Sequence, residues 1–88
     1  MAVGLIFDVP GGTRAQYEQI RDEVAPGNQR PPGMLYHVAG ATEQGWGVAE
    51  IWESEEALTR FFDGKIRPAL QRAGIDGQPR VFEIFNTM

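Results

Sequence analysis

Three stretches of this chain with the composition of β-strands set large apolar residues side by side instead of at every second position. Leu5, Ile6 and Phe7 are consecutive, as are Met34, Leu35 and Tyr36, while Val81-Phe82 and Ile84-Phe85 flank a single Glu83. Successive side chains of a strand point to opposite faces, so an antiparallel sheet with one wet face reads as an alternation of apolar and polar residues. Strands patterned like these need cover on both faces. Leaving one large apolar side chain per strand in water would forgo about 1.5–3 kcal/mol each, on the order of 6–12 kcal/mol over four strands, which is comparable to the stability of a whole domain.

The order of elements says what covers the first face. Val3 to Val9 reads as a strand ended by Pro10-Gly11-Gly12, and Thr13 with Gln16 three residues later forms a capping box that starts a helix. Tyr17, Ile20 and Val24 then recur at helical spacing among Arg14, Glu18, Arg21, Asp22 and Glu23, which predicts one buried stripe ending before Pro26-Gly27-Asn28. Met34 to Ala39 and Trp46 to Glu53 read as two strands joined by the turn-rich Gly40–Gly45 segment. Ser54 caps a second helix with Glu55 and Glu56 in its first turn, and Asp63-Gly64 divides that helix into two pieces, with Pro68 in the first turn of the second. Gly74 ends it, and Arg80 to Asn86 is the last strand.

This β-α-β-β-α-β order predicts an α+β, ferredoxin-like unit spanning residues 1–88: an antiparallel sheet with both helices on one face, because its two crossovers share the right-handed sense. The uncovered face is then expected to meet a second copy of the chain, most simply about a two-fold axis. A flat ligand-binding face on a single copy is the competing expectation.

Charge narrows the partners. With 8 basic against 12 acidic residues and a formal net charge of −4, the chain is not expected to bind nucleic acid, whose affinity comes largely from neutralising phosphates. No apolar run approaches the roughly 20 residues of a membrane span. The first apolar segment contains Asp8 and lacks the pattern of a secretory signal, so a cytoplasmic location is expected. There is no cysteine, which excludes disulfides, thiolate catalysis and cysteine-built zinc sites.

Among residues able to carry chemistry, His37 stands first. It is the only histidine and lies within a strand, where its partner and depth decide how it moves a proton. Asp8 and Glu50 each interrupt an otherwise apolar strand and either could pair with it. Which of them shares its face depends on the register across the Gly40–Gly45 turn, since one residue of slippage inverts every side chain. Tyr17, Tyr36, Trp52, Phe61 and Phe62 are candidate walls for a planar organic ligand, with the two tyrosine hydroxyls able to orient it; core packing is the alternative use of such residues.

The strand ending in Pro10-Gly11-Gly12-Thr13, the Leu35-Tyr36-His37-Val38-Ala39-Gly40 strand, and above all Gly45-Trp46 through Trp52-Glu53-Ser54-Glu55-Glu56-Ala57 resemble the dimeric α/β-barrel superfamily, near its antibiotic-biosynthesis-monooxygenase-like domains. The resemblance spans nearly the whole chain. It implies a ferredoxin-like subunit that pairs sheet to sheet in a homodimer, holds a hydrophobic small molecule between sheet and helices, and needs no tightly bound cofactor or metal. The activities it allows are cofactor-independent monooxygenation of aromatic, polyketide-like compounds, isomerisation or cyclisation; a non-catalytic binding or stress-associated protein is the alternative. Haem degradation departs from the pattern, since the family's helical Trp is replaced here by Phe61 and Phe62 and no histidine follows.

Overall fold

A computed structural model describes all 88 residues. The expected order is present: β1 (Val3–Pro10), α1 (Arg14–Val24), β2 (Met34–Thr42), β3 (Gly45–Trp52), α2 (Glu55–Phe61), α3 (Arg67–Ala73) and β4 (Arg80–Glu83). All strand pairs are antiparallel, in the spatial order β2-β3-β1-β4, so the chain has the α+β ferredoxin-like architecture.

Local chemistry accounts for the helix starts. The Thr13 hydroxyl accepts from the Gln16 backbone N–H at 3.2 Å, and the Gln16 side chain accepts from the Thr13 backbone N–H at 3.1 Å, completing the capping box. Ser54 Oγ accepts from Ala57 N–H at 3.1 Å, with Glu55 and Glu56 in the first turn of α2.

Four details differ from the sequence reading. Thr42 pairs with Gly45, so the β2–β3 connection is a two-residue hairpin turn at Glu43-Gln44 instead of the full Gly40–Gly45 segment, and β2 is longer than expected. The last strand ends at Glu83 instead of Asn86, although Ile84 still donates its N–H to the Ala2 carbonyl at 3.0 Å. Asp63-Gly64 does not break the second helix: Phe62–Ile66 forms a π turn that carries α2 directly into α3. Pro68 explains this wider turn, because its ring presses on the carbonyl four residues back and it has no N–H to offer that carbonyl. Finally, no residue of α1 is buried; its Tyr17, Ile20 and Val24 stripe is half-exposed.

The core therefore belongs to α2 and α3. Val3, Leu5 and Phe7 of β1, Met34 of β2 and Trp52 of β3 pack under Leu58 and Leu70. Trp52 is wholly buried, with its ring 5.6 Å from that of Phe61. The opposite sheet face carries Ile6, Tyr36, Val38, Ile51 and Phe82. Tyr36 is 67% exposed, Val38 62% and Phe82 51%, so the second apolar face inferred from the pattern is present and bare on a single copy. Gly4 is part of this face: a β-carbon there would lie 2.5 Å from the Phe82 ring, which packs flat on the strand where a side chain is missing.

Candidate functional site

The site begins with a register irregularity. Met34 pairs with Trp52 but Tyr36 pairs with Ile51, so Leu35 is an extra residue, a bulge in β2. Strict alternation would put Met34 and His37 on opposite faces; the bulge places both beneath the helices. His37 then stands opposite Glu50, and on β3 the residues Trp46, Val48, Glu50 and Trp52 share that face by simple alternation.

Four side chains form a chain of hydrogen bonds there. His37 Nδ1 lies 2.7 Å from Glu50 Oε2, and the Tyr17 hydroxyl lies 2.6 Å from His37 Nε2. Trp52 Nε1–H donates to Glu50 Oε1 at 2.9 Å. A carboxylate only accepts, so with Glu50 ionised His37 Nδ1 carries the proton and Nε2 presents its lone pair to the Tyr17 O–H. The Tyr17 ring stacks on His37 with a centroid separation of 5.9 Å and tilts against Trp46 at 5.6 Å. Burial pushes the Tyr17 phenol above its ordinary pKa; the Arg21 guanidinium pulls it down and the Glu50 carboxylate adds to the rise. Tyr17 is thus a protonated donor through the neutral range.

This chain of groups opens on a cavity of about 420 Å³ between α1, the sheet and the π turn. Its floor is Leu5, Phe7, Val9, Trp46 and Val48, and its walls include Tyr17, Ile20, Phe61, Phe62 and Ile66. The half-exposure of the α1 stripe follows: those side chains border open space instead of packing onto the sheet. A void of this size with mostly apolar walls and a few convergent polar groups has the character of a small-molecule site.

The candidates from sequence divide clearly. His37, Glu50, Tyr17, Phe61 and Phe62 all line the cavity. Asp8 does not: it lies on the other sheet face, exposed, with its Oδ2 3.3 Å from Arg80. Tyr36 is on that outer face as well, two positions from Val38. Trp52 is a core residue that reaches the site only through Glu50. Sequence reasoning did not assign Trp46, Ile20, Arg21 or Arg30 to the site, and all four line the cavity. The signals were available for two of them, because Trp46 is in phase with Glu50 on β3 and Arg21 is one helical turn from Tyr17.

No protein-family model matches the chain, and no curated protein matches it. Solved structures do. An antibiotic biosynthesis monooxygenase candidate from Chloroflexus aurantiacus is 17% identical, covering 100% of this chain and 97% of its own, with a TM-score of 0.66. SnoaB, a cofactor-independent oxygenase from Streptomyces nogalater, is 16% identical with a TM-score of 0.66 over 99% of this chain and 95% of its own. The monooxygenase from the gene ActVA-Orf6 of Streptomyces coelicolor, solved with nanaomycin D, is 21% identical with a TM-score of 0.55, covering 99% of this chain and 89% of its own. The chain therefore shares its ferredoxin-like fold with these antibiotic-biosynthesis-monooxygenase-like structures.

Proposed function

We propose that this protein is a homodimeric enzyme that removes a proton from a planar, hydrophobic phenolic or enolisable molecule and passes the resulting anion to dioxygen, as a monooxygenase with no tightly bound cofactor. The observation that carries this reading is the Tyr17–His37–Glu50 chain ending at the apolar cavity. A substrate hydroxyl beside Tyr17 gives its proton to the phenol oxygen as the Tyr17 proton moves to His37 Nε2. The imidazolium so formed lies against the Glu50 carboxylate, which stabilises it. Tyr17 begins and ends the transfer protonated, in keeping with its raised pKa.

The electron-rich anion then reduces dioxygen. For a methylene carbon flanked by aromatic rings, one oxygen atom enters as a carbonyl and the other leaves with the two hydrogens as water, so the four electrons lost by carbon are those gained by oxygen. The likeness to SnoaB, a cofactor-independent oxygenase, supports oxygenation without a bound cofactor, and the likeness to the monooxygenase solved with nanaomycin D supports a small organic ligand. The exposed Tyr36, Val38 and Phe82 face supports pairing of two copies, and no helix is long and apolar enough to cross a membrane.

Anthrone, a planar tricycle with one such methylene, is a suitable probe. The wild-type protein is expected to accelerate its conversion to anthraquinone, followed by absorbance and oxygen uptake, and His37→Ala is expected to lower the rate by about a hundredfold or more. Equal rates for the wild type, His37→Ala and Glu50→Gln would overturn the mechanism.

A further inference from the structure

The arginines of this molecule are matched almost without exception. Six of its seven arginines lie within salt-bridge distance of a carboxylate: Arg14 with Glu18, Arg21 with Asp22, Arg60 with Glu56, Arg67 with Asp63, Arg72 with Glu23 and Arg80 with Asp8. Arg30 is the exception. Its guanidinium donates to the Leu35 backbone carbonyl, which carries no compensating charge, and it lines the cavity while remaining exposed to solvent, which puts it at the opening.

Arg21 lines the same cavity. Its side chain is 32% exposed, and its guanidinium lies 5.9 Å from the Tyr17 ring centroid. Its one ionic contact is to a single oxygen of its neighbour Asp22, at 3.1 Å, and that carboxylate is 70% exposed. A pair so open to water is weak, and the remaining N–H donors of the guanidinium are unused by it. Glu50 is the only carboxylate on the cavity wall, and both of its oxygens are engaged, by His37 and by Trp52. A chain with a net charge of −4 has thus built a cavity whose wall carries two guanidinium groups against one occupied carboxylate.

We infer that the ligand of this cavity is an amphipathic anion. Its planar apolar body lies among Tyr17, Trp46 and Phe62, and its carboxylate or sulfonate is held at the opening by Arg30 with Arg21. A guanidinium offers such a group two parallel N–H donors, and the apolar walls strengthen that attraction relative to open water. Neutral aromatic molecules, which make no ionic contact with Arg30, bind among the same walls less tightly. This inference rests on the cavity being the ligand site and adds the charge of what enters it.

Two fluorescent probes of nearly the same shape test it: 8-anilinonaphthalene-1-sulfonate, an anion, and N-phenyl-1-naphthylamine, its neutral counterpart. Binding is followed by fluorescence, and entry to the cavity by the NMR signals of the His37 ring, the only imidazole in the chain. The sulfonate is expected to bind at least tenfold more tightly than the neutral probe and to shift the His37 signals. That preference is expected to fall severalfold in Arg30→Gln, to vanish in Arg21→Gln/Arg30→Gln, and to be largely kept in Arg30→Lys. Equal affinities for the two probes with both shifting His37, or a preference that survives in the double variant, would overturn the anion inference and leave the cavity as the ligand site. If neither probe disturbs His37, the cavity is not the ligand site and the proposed function falls with the inference.

Discussion

His37 on β2 stands directly opposite Glu50 on β3, and the two side chains meet through Nδ1 and Oε2 at 2.7 Å. This one contact sets the direction of the whole chain of groups, because the carboxylate accepts only and thereby leaves His37 Nε2 as the atom that receives a proton. Glu50→Gln is nearly isosteric but can donate its amide N–H to Nδ1, moving the ring proton to Nε2. Nitrogen shifts of the single histidine should report that change of tautomer, and turnover should fall about a hundredfold. An unchanged tautomer in Glu50→Gln would show that Glu50 does not orient the ring.

Trp52 holds the other oxygen of the same carboxylate while filling the core. Trp52→Phe keeps most of the aromatic volume and removes the N–H, leaving Glu50 Oε1 short of a partner in a site where the Glu50 side chain is only 12% exposed. A loss of about 1–3 kcal/mol of stability is expected in chemical denaturation. In a double-mutant cycle with Glu50→Ala, which removes the acceptor, that loss should be strongly non-additive, because both substitutions act on one bond. Simple additivity would mean that the cost comes from packing alone.

Tyr17 gives a signature in pH. Burial raises its pKa in the folded protein above that of the unfolded chain, so the unfolded state ionises first as pH rises. The contribution of Tyr17 to stability is complete below about pH 10, the unfolded value, and is lost as the pH climbs through the higher folded value. Tyr17→Phe should therefore flatten the decline in stability above about pH 10, seen as a smaller drop in Tm across that range, and should leave the cavity in place while abolishing proton transfer to His37. A decline as steep as that of the wild type would contradict the burial of the phenol.

The bare sheet face predicts self-association. Val38 is 62% exposed on this face, between Tyr36 and Gly40 on the edge strand β2, and a two-fold pairing brings each substitution into the interface twice. Val38→Lys is expected to convert a two-copy species into single copies in sedimentation at micromolar concentration, with dimer dissociation raised at least a hundredfold. A wild-type protein that sediments as one copy at that concentration would remove the sheet-to-sheet interface.

The order and kind of elements are written locally in the chain, because capping residues and hydrophobic periods act within a few residues of one another. The Thr13/Gln16 box, the Ser54 cap and the apolar strands are local facts, and the ferredoxin-like sheet with a greasy second face follows from them. His37 was legible as a candidate because it is the sole histidine in a strand. Its partner was not. Parity in a sheet is set by register, and here it depended on the tight Glu43-Gln44 turn and on the bulge at Leu35, which together brought Glu50 to His37 and left Tyr36 on the other face, where Asp8 falls by alternation with Leu5 and Phe7. The cavity was equally hidden, since a helical stripe such as Tyr17, Ile20 and Val24 has the same spacing whether it packs on a sheet or borders a void. Long-range packing chooses between those outcomes, because the distance between a helix and a sheet is set by the residues wedged between them, which are far apart in the chain.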